Sequence, residues 1–311
     1  MAKAVVTGGA GFIGSHICEQ LLAAGERVLV IDNLSSGRRG NLPAGVEFHE
    51  LDIRAAAARN LMADFAPDVV VHAAAQMSVT ESMKDPVYDA EVNICGMLSL
   101  LHAFQGRSLP YWVFLSTGGA IYGEQDYFPA DERHPIRPTS VYGAAKRAAE
   151  LYLELWQRVY GLRFAALRLS NVYGPRQNPH GEAGVVAIFC RRLLNGETPV
   201  IYGDGRQTRD FVFVGDVCRA VMKVCERRVQ GVYNIGTGRE STVNQVYREI
   251  AAVLGSQTAA RYEGVRPGEQ RRSCIDAASA RRVFDWAPEL DLAAGLKVTA
   301  AWFRDHGRAA E

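Results

Sequence analysis

The chain has 311 residues, of which 48% are hydrophobic and 22% are charged, and its formal net charge at pH 7 is +1. This near-neutral balance gives no electrostatic basis for binding nucleic acid or an anionic membrane surface. No apolar run approaches the roughly 18 residues that a membrane helix requires. The six cysteines form no Cys-x-x-Cys pair and the seven histidines have no metal spacing, which predicts a cytoplasmic protein with reduced, buried thiols and no metal site.

A glycine-rich segment follows the first predicted strand, which covers residues 3–7. The segment reads Gly8-Gly-Ala-Gly11-Phe-Ile-Gly14 and opens a predicted helix. Glycine is required where the backbone turns with positive φ and where it approaches a pyrophosphate closely. The N–H groups at the start of the helix then face the phosphates. A strand, a glycine-rich turn and a helix in this order are typical of a dinucleotide-binding site.

An acidic residue, Asp32, follows the second predicted strand at 27–31 and lies 24 residues beyond Gly8. At this distance a carboxylate accepts hydrogen bonds from the ribose hydroxyls of a dinucleotide. Asp32 favours NAD over NADP because a carboxylate repels a 2′-phosphate. The alternative, NADP, has support from Arg38 and Arg39, which follow a Ser-Ser-Gly turn and are also compatible with a solvated loop.

Three more strands are predicted, at residues 46–51, 68–72 and 112–115. They end in polar or small residues, Asp52-Ile53, Ala73-Ala-Ala-Gln76 and Ser116-Thr117. Small residues let the backbone pass close to a ligand. A helix is predicted over 86–105 with Asn93 at its middle. We interpret Asn93 either as a surface amide or as a brace for the strand ends, and we prefer the brace.

The segment Ser140-Val-Tyr142-Gly-Ala-Ala-Lys146 precedes a predicted helix over 147–161. Residues four apart lie on one helical face, so the phenol of Tyr142 and the ammonium of Lys146 can point at the same volume. A free phenol has a pKa of about 10. A neighbouring cation lowers this pKa toward the range that acid–base chemistry uses. The pair by itself is also compatible with two surface residues, so the rest of the chain decides its meaning.

Strands and helices alternate along the first 170 residues, and a strand over 164–169 ends at Ser170-Asn171. This rhythm predicts an α/β fold with a doubly wound parallel (Rossmann) sheet, which binds ligands at the carboxyl ends of its strands. The composition changes at Pro175, and a late strand near 231–238 is expected to rejoin the sheet. We predict an NAD-binding domain over 1–173 and a smaller C-terminal substrate-binding domain over 174–230 and 239–311.

The motifs taken together resemble those of an extended short-chain dehydrogenase/reductase, from residue 1 to about 305. They are Thr7-Gly8-Gly-Ala-Gly11-Phe-Ile-Gly14, Asp32-Asn-Leu, Asp52-Ile53, Ser116-Thr117, Tyr142-x-x-x-Lys146 and Arg266-Pro-Gly-Glu269. More narrowly, Ser-Thr-Gly-Gly-Ala-Ile-Tyr-Gly and Thr208-Arg209-Asp210-Phe211 resemble segments of the NAD-dependent nucleotide-sugar epimerases. The resemblance implies NAD as cofactor, a UDP-sugar as substrate, and 4-epimerisation of a UDP-hexose through a 4-keto intermediate.

The resemblance also implies roles for single residues. Tyr142 would be the acid/base, Lys146 would hold the ribose and lower the phenol pKa, and Thr117 would be the third catalytic residue. The implied cofactor-binding residues are Gly8, Gly11, Phe12, Ile13, Gly14, Asp32, Asn33, Gly37, Asp52, Ile53, Ala73, Ala74, Ala75, Gln76, Asn93, Ser116, Tyr142 and Lys146. The implied substrate-binding residues are Thr117, Tyr142, Asn171, Val186, Tyr202, Arg209, Arg266, Glu269 and Ser273.

Two departures from the family pattern are visible. The third catalytic hydroxyl usually lies four residues before Tyr122, where this chain has Gly118. Thr117 must then serve, and Ser116 is a second candidate. Related dehydratases carry Thr-Asp-Glu on this loop to expel water, whereas this chain has Thr-Gly-Gly. The alternatives to a UDP-hexose epimerase are a uronic-acid epimerase or decarboxylase, and a non-catalytic NAD-binding sensor.

Two further predictions concern assembly and specificity. Apolar positions on the predicted helices exceed what packing on one sheet face needs, which predicts a homodimer with a four-helix interface. These positions are Val92, Leu98, Leu101, Leu151 and Leu155. Epimerases restricted to plain hexoses carry a tyrosine at the position of Ser273, so a serine there is expected to admit an N-acetylated sugar. The alternative is that Ser273 faces away, or that Arg272 or Cys274 fills the gap.

Overall fold

The computed structural model describes residues 2–180, 184–265 and 270–306. The strands of the central sheet are runs rich in Val, Ile, Leu and aromatic residues, which fit a pleated and buried surface. In chain order the strands are β1 (Lys3–Thr7), β2 (Arg27–Asp32), β3 (Glu47–Glu50), β4 (Val69–His72), β5 (Tyr111–Thr117), β6 (Phe164–Leu169), β7 (Asn171–Tyr173), β8 (Val200–Tyr202), β9 (Thr208–Phe213), β10 (Gly231–Ile235), β11 (Glu240–Thr242), β12 (Arg261–Glu263) and β13 (Arg272–Ser273).

The helices connect these strands. In chain order they are α1 (Phe12–Ala23), α2 (Ala56–Phe65), α3 (Val79–Lys84), α4 (Pro86–Ala90), α5 (Met97–His102), α6 (Gly118–Ile121), α7 (Val141–Tyr160), α8 (Val185–Leu194), α9 (Val214–Arg227), α10 (Val243–Leu254), α11 (Ala278–Phe284) and α12 (Leu292–His306). A 3-10 turn, Arg39–Asn41, and a π-helical segment, Glu91–Gly96, are also present. Within the part of the chain that the structure describes, no helix is both long and apolar enough to cross a membrane.

Seven parallel strands form the central sheet in the order β10-β6-β5-β4-β1-β2-β3. The chain runs outward from β1 to β3 and then returns to the other side of β1 at β4. The strand order therefore reverses between β1 and β4, and ligands bind at such a reversal, outside the carboxyl ends of the strands. The predicted doubly wound sheet is confirmed. The late strand also rejoins the sheet as predicted, because β10 pairs with β6.

Each face of the central sheet carries its own apolar core. Helices α1 and α9 cover one face, where Ile17 and Val221 are fully buried. Helices α2, α5 and α7 cover the other face, where Met97 and Leu153 are fully buried. Complete burial of a side chain of this size contributes about 1.5–3 kcal/mol relative to exposure. The two cores hold the carboxyl ends of the strands in fixed positions.

A second group of elements lies beyond β6 and is organised around β9. Strand β9 pairs with β7, β11 and β13, while β8 pairs separately with β12. Helices α8, α10 and α12 enclose a third apolar core that includes Phe189, Ile250 and Phe303. This group therefore draws its strands and helices from widely separated parts of the sequence.

The helix that carries Tyr142 begins earlier than the sequence predicts. It starts at Val141 and not at residue 147, because Ser140 caps it by accepting a hydrogen bond from the N–H of Gly143 at 3.1 Å. Tyr142 consequently lies in the first turn of α7. It is oriented by a helix end, with Lys146 one turn further on.

The helix predicted over 86–105 is divided into α4, the π-helical segment and α5. The π-helical segment ends at Gly96, which packs against Ile53: a Cβ at Gly96 would lie 2.7 Å from Ile53 Cδ1. π-Bulges of this kind are frequent at functional sites. The wider turn also places Asn93 in the interior, where it is 2% exposed.

Candidate active site

A cavity of about 1740 Å³ opens at the carboxyl ends of the central strands. Its volume exceeds the 300–1,000 Å³ that is typical of a site for one small ligand, so it has room for two. The predicted site residues that line it are Gly8, Gly11, Phe12, Ile13, Gly14, Asp32, Asn33, Asp52, Ile53, Ala73, Ala74, Ala75, Gln76, Ser116, Thr117, Tyr142, Lys146, Asn171, Val186, Tyr202 and Arg209.

Three of the predicted site residues that the structure describes are not in that lining. Gly37, Asn93 and Ser273 lie beside the cavity wall and do not face the cavity itself. Arg266 and Glu269 lie outside the described residues. Gly37 instead supports the glycine-rich loop, because a Cβ at this position would lie 2.9 Å from the backbone of Ala10. The structure thus assigns a supporting position to Gly37 where the sequence predicted a ligand contact.

The glycine-rich loop between β1 and α1 leaves no room for side chains. Gly8 has a φ of +72°, and a Cβ there would lie 2.6 Å from the backbone nitrogen of Ala74. A Cβ at Gly14 would lie 2.2 Å from the carbonyl oxygen of Gly8. Gly11 caps α1 without a side-chain acceptor, so the first N–H groups of the helix can bind phosphate oxygens. The loop therefore fits the pyrophosphate of a dinucleotide.

The carboxylate of Asp32 is fixed at the end of β2. One of its oxygens accepts from the N–H of Ala10 at 2.9 Å and the other from the N–H of Leu34 at 2.8 Å. Asp32 is 8% exposed and lines the cavity. Of the two arginines that supported NADP, Arg39 stacks on Phe48 with its guanidinium 5.1 Å from the ring centroid. The fixed carboxylate fits the ribose of NAD.

Asp52 and Ile53 form the neighbouring part of the wall. Asp52 accepts from Asn33 Nδ2 at 3.0 Å and pairs with Arg54 at 2.8 Å. The hydrogen bonds from Arg54 lower the pKa of Asp52 to about 2, so its carboxylate stays ionised at neutral pH. Ile53 supplies a buried apolar surface that fits a planar base such as adenine.

Asn93 is a brace, which confirms the preferred interpretation. Its Oδ1 accepts from the N–H of Gln76 at 3.1 Å, and its Nδ2 donates to the carbonyl of Gln76 at 2.9 Å. The reciprocal pair fixes the backbone of the segment after β4. Because Ala73, Ala74 and Ala75 precede Gln76, the brace holds this whole segment against the cavity.

Tyr142 and Lys146 both line the cavity, and Lys146 is 3% exposed. The Nζ of Lys146 donates to the carbonyl of Leu115 at 2.9 Å and lies 4.6 Å from the ring centroid of Phe114. It lies 6.0 Å from the ring centroid of Tyr142. The end of β5 therefore anchors the ammonium beside the phenol, as the four-residue spacing predicted.

The pKa of the Tyr142 phenol differs from the prediction. Burial raises this pKa above its ordinary value, and the charge of Asp89 raises it further. Burial lowers the pKa of Lys146 to about 8, against the opposing charges of Asp89 and Glu150. The expected lowering of the phenol pKa by Lys146 is therefore absent in the protein alone, because burial of the phenol disfavours its charged form.

The structure separates the two candidates for the missing hydroxyl. Ser116 Oγ donates to the buried carboxylate of Glu150 at 2.6 Å, so its proton is already used. Thr117 Oγ1 accepts from the N–H of Ala120 at 3.2 Å, which leaves its own proton to be donated into the cavity. A side chain at position 118 would crowd Ile275, since a Cβ there would lie 2.7 Å from Ile275 Cδ1. Thr117 is the hydroxyl best placed for catalysis.

The predicted substrate residues come together on the far side of the cavity. Asn171 follows β6, Val186 lies in α8, Tyr202 ends β8 and Arg209 lies in β9. The guanidinium of Arg209 donates to the carbonyl of Thr208 at 2.8 Å. An aromatic ring, an amide and a guanidinium at one wall are the groups that bind a base and a diphosphate.

Asp210, the neighbour of Arg209, ties this wall to the central sheet. Its carboxylate is 1% exposed and accepts from Thr237 Oγ1 at 2.6 Å and from the N–H groups of Thr237 at 2.9 Å, Gly238 at 3.1 Å and Ile275 at 3.4 Å. These donors lie after β10 and after β13. One carboxylate thus joins three segments that are far apart in sequence.

Ser273 lies in β13, paired with Arg209 of β9, and is 3% exposed. Its neighbour Arg272 pairs with Glu240 at 2.5 Å and lies over the ring of Phe128. Ser273 is held inside the sheet and does not line the cavity, which favours the alternative that it faces away from the sugar.

Sequence reasoning missed three residues at or beside the cavity. Ser170 and Gln177 line it, and among the described residues the Ser170 Oγ and the Gln177 Oε1 are buried without a hydrogen-bond partner. The sequence analysis placed Ser170 at the carboxyl end of a strand, where ligands bind, but did not include it among the site residues. Asp89 is fully buried and accepts a hydrogen bond from Gln76 of the cavity wall, and no sequence pattern distinguishes it from a surface acid on a helix.

The class of the protein follows from the sheet and the cavity together: it is an extended short-chain dehydrogenase/reductase. The sequence profile of the NAD dependent epimerase/dehydratase family matches residues 4–236, and the chain belongs to that family. It is an enzyme of the nucleotide-sugar epimerase type, and its cofactor is NAD.

Similar proteins cover nearly the whole chain. The UDP-glucose 4-epimerase of Mycolicibacterium smegmatis is 42% identical over 309 residues, which are 97% of this chain and 99% of the relative. The structure of UDP-glucose 4-epimerase from Thermotoga maritima with UDP-glucose has a TM-score of 0.94 at 44% identity, covering 97% and 99%. UDP-N-acetylglucosamine 4-epimerase from Methanobrevibacter ruminantium M1, in complex with UDP-N-acetylmuramic acid, has a TM-score of 0.93 at 36% identity, covering 98% and 99%.

Proposed function

We propose that this protein interconverts UDP-glucose and UDP-galactose by epimerisation at C4 of the hexose, through a 4-keto intermediate. The observation that carries the proposal is the half-buried Tyr142 with the buried Lys146 and with Thr117, at a cavity large enough for a dinucleotide and a nucleotide sugar. The similarity to UDP-glucose 4-epimerases along nearly the whole chain supports the same substrate class.

In the proposed mechanism Tyr142 takes the proton of the sugar 4-hydroxyl and later returns it. The ammonium of Lys146 stabilises the phenolate that exists before Tyr142 takes the proton and after Tyr142 returns it, and Thr117 donates a hydrogen bond to the reacting oxygen. NAD, when bound, supplies the hydride chemistry by accepting a hydride from the sugar and giving it back. The hydride would return to the opposite face of C4 and the proton to the 4-oxygen, so C4 is inverted and the reaction has no net redox change.

The substrate must present both faces of its sugar to the same side of the site. A firmly held diphosphate and a loosely held sugar meet this need. We propose that Asn171 and Arg209 hold the diphosphate, because a guanidinium makes strong, directional hydrogen bonds to phosphate. Tyr202 would stack on the uracil. Arg266 and Glu269 are proposed to complete the nucleotide pocket from outside the described residues.

The proposal is tested by assaying purified protein with UDP-galactose and measuring UDP-glucose with a coupled dehydrogenase. We expect turnover without added NADH or net NADH formation. A protein that binds NAD and leaves UDP-galactose unchanged would support the sensor alternative. Conversion of a UDP-uronic acid in preference to UDP-galactose would contradict the choice of substrate.

The N-acetylated pair of sugars is a second candidate substrate. It is favoured by the similarity to a UDP-N-acetylglucosamine 4-epimerase. Acceptance of UDP-N-acetylgalactosamine by the native protein would support it, and absence of turnover with that sugar would contradict it.

We also propose that the protein is a homodimer. Leu151, Leu155 and Val159 lie along α7 and are 49%, 39% and 59% exposed, which gives this helix an uncovered apolar stripe. The prediction that Leu101 lies at the same interface is wrong. Leu101 is part of α5 but is only 1% exposed, because its side chain is buried in the core. Light scattering that returned the mass of one chain, 34.0 kDa, at micromolar concentration would contradict the dimer.

We make two further proposals, one on the domain boundaries and one on the cellular compartment. The domains are proposed as residues 1–173 with the strand near 231–238 for NAD, and residues 174–230 with 239–311 for the substrate. The cytoplasm is proposed as the compartment. All six cysteines are free thiols, which suits a reducing compartment.

A further inference from the structure

Helix α7 is tied to the end of β5 at two successive turns. The Nζ of Lys146 donates to the carbonyl of Leu115 at 2.9 Å. One turn further along α7, the carboxylate of Glu150 accepts from Ser116 Oγ at 2.6 Å. Lys146 and Glu150 are four residues apart and therefore lie on one face of the helix. The neighbouring residues Leu115 and Ser116 thus each hold a different turn of the helix that carries Tyr142.

The carboxylate of Glu150 is fully buried, and both of its oxygens have partners. Arg168 of β6, which is 2% exposed, donates to one oxygen from Nε at 3.0 Å and to the other from Nη2 at 2.7 Å. Arg147 also donates to one of them at 3.1 Å. Together with the bond from Ser116, these contacts occupy about as many acceptor positions as a carboxylate offers. Glu150 is therefore fixed in orientation, and it holds Ser116 in one place.

The same buried network continues away from α7. Arg168 Nη1 donates to the hydroxyl of Tyr122 at 3.0 Å, and this hydroxyl donates to Asn234 Oδ1 of β10 at 2.7 Å. Tyr122 and Asn234 are almost completely buried, and neither of them lines the cavity. The network therefore has one branch that reaches the end of β5 and another that reaches β10.

Stability alone does not account for this arrangement. Withdrawing a carboxylate and a guanidinium from water is costly, and apolar residues of similar volume often stabilise a fold equally well or better. An apolar contact is not directional, whereas a bidentate pair of a guanidinium and a carboxylate is. With Lys146 alone, α7 could pivot about the carbonyl of Leu115. Such a pivot would move Tyr142 relative to Thr117.

We propose that Glu150 is a positioning residue for the epimerisation reaction, which keeps the phenol of Tyr142 and the hydroxyl of Thr117 in a fixed relative position. It acts through Ser116, the residue before Thr117, while Arg168 holds its carboxylate in place. The inference rests on the proposed function, in which the two hydroxyls act on the same sugar oxygen. Because a misplacement of about 1 Å can cost 10²-fold in rate, a loosened α7 should slow turnover more than it weakens binding.

The primary variant is Ser116→Ala, which removes the tie to the end of β5 and leaves the pair of Glu150 and Arg168 intact. Glu150→Asp breaks the same tie from the other side, because it keeps the charge and draws the carboxylate back by one methylene. Tyr122→Phe is the matched control. It removes two buried hydrogen bonds from the other branch of the network and leaves both attachments of α7 in place.

Kinetics with UDP-galactose provide the first measurement. We expect kcat to fall about 10- to 100-fold in Ser116→Ala and in Glu150→Asp, while KM and the affinity for NAD stay close to native. Tyr122→Phe should lower the temperature of thermal unfolding and keep a native kcat. The double variant Ser116→Ala/Glu150→Asp should lose no more kcat than the more damaged single variant, because both changes break one tie.

Hydrogen exchange measures the attachment independently of activity. In the protein without substrate, the amides of residues 115–120 and of the first turns of α7 should exchange about tenfold faster in Ser116→Ala than in the native protein, since a buried hydrogen bond to a charged group limits local opening. Tyr122→Phe should leave these amides unchanged and should speed exchange in β10.

The inference is overturned by a native kcat in a folded Ser116→Ala protein, by an equal loss of kcat in Tyr122→Phe, or by additive losses in the double variant. A loss of NAD affinity that matches the loss of kcat would also overturn it, because Ser116 would then act through the cofactor. If the native protein does not epimerise UDP-galactose, the proposed function fails, and hydrogen exchange still decides whether Glu150 holds the end of β5 against α7.

Discussion

The cofactor side and the substrate side of the cavity are built in different ways. On the cofactor side, Gly8, Asp32 and Asp52 each lie at or just after the end of a strand of one rigid sheet. On the substrate side, β9 brings together the loop after β10 and the segment after β13, and Asp210 joins them. The first side depends on local motifs, and the second depends on contacts between distant segments. Changes on the two sides should therefore have separable effects.

The largest effect is expected at the boundary between the two sides. Tyr142→Phe keeps the ring and removes the hydroxyl, so turnover should fall by the 10²–10⁴-fold that is typical of a lost acid or base. Thermal stability and NAD binding should stay close to native, because the aromatic ring and its packing are kept. Steady-state kinetics and calorimetry measure both. Near-native turnover would show that the acid/base is another residue.

On the cofactor side, we expect the largest loss of NAD affinity from a substitution at Gly14. Gly14→Ala places a Cβ 2.2 Å from the Gly8 carbonyl, so the loop must shift, and overpacking of this kind costs about 1–3 kcal/mol. We expect NAD affinity to fall by at least tenfold, measured by titration calorimetry. Gly264→Ala is the control, because a Cβ at Gly264 meets nothing within 4 Å. Equal NAD affinity in both variants would contradict the close-approach role of Gly14.

On the substrate side, we expect a substitution at Asp210 to weaken binding of UDP-galactose. In Asp210→Asn one acceptor becomes a donor that faces N–H groups, which leaves buried donors unpaired at about 1–3 kcal/mol each. We expect the KM for UDP-galactose to rise about tenfold or more, while NAD affinity remains native. Kinetics and NAD calorimetry on the same preparation separate the two. Loss of NAD affinity of equal size would mean that the two sides are not separable.

A further prediction concerns position 118, where this chain has glycine and the family pattern has a hydroxyl-bearing residue. Gly118→Ser restores the residue that the family pattern carries, and it should lower kcat several-fold because the new Cβ meets Ile275 at 2.7 Å. The double variant Gly118→Ser/Ile275→Ala should recover part of that loss by removing the clash. A fully active Gly118→Ser single variant would show that Ile275 yields and that the glycine is not enforced by packing.

The smallest effect is expected at Ser273. Because this residue is 3% exposed beside Arg209, a tyrosine there must displace β13 or enter the cavity. Ser273→Tyr should reduce kcat/KM for UDP-N-acetylgalactosamine more than for UDP-galactose, by a factor of about 10, since steric discrimination is worth only a few kcal/mol. Equal loss with both sugars would mean that the change acts on Arg209 and not on the acetamido group.

The sequence alone determined the doubly wound sheet, the glycine-rich loop, Asp32 at the end of β2, and the pairing of Tyr142 with Lys146. Each of these depends on residues close together in the chain, whose periodicity and spacing fix the local structure. The same proximity explains why the bracing interpretation of Asn93 was confirmed, although its exact partner was not foreseen.

Only the tertiary structure decided the remaining features of the site. Ser116 donates to Glu150, whereas the Thr117 hydroxyl lines the cavity. Leu101 is buried in the core, Ser273 does not line the cavity, and Asp89 is buried against Gln76. The tertiary structure also reversed the expected direction of the Tyr142 pKa. The physical reason is common to all of them: burial and long-range pairing depend on segments that are distant in sequence, and no local pattern encodes which of them meet.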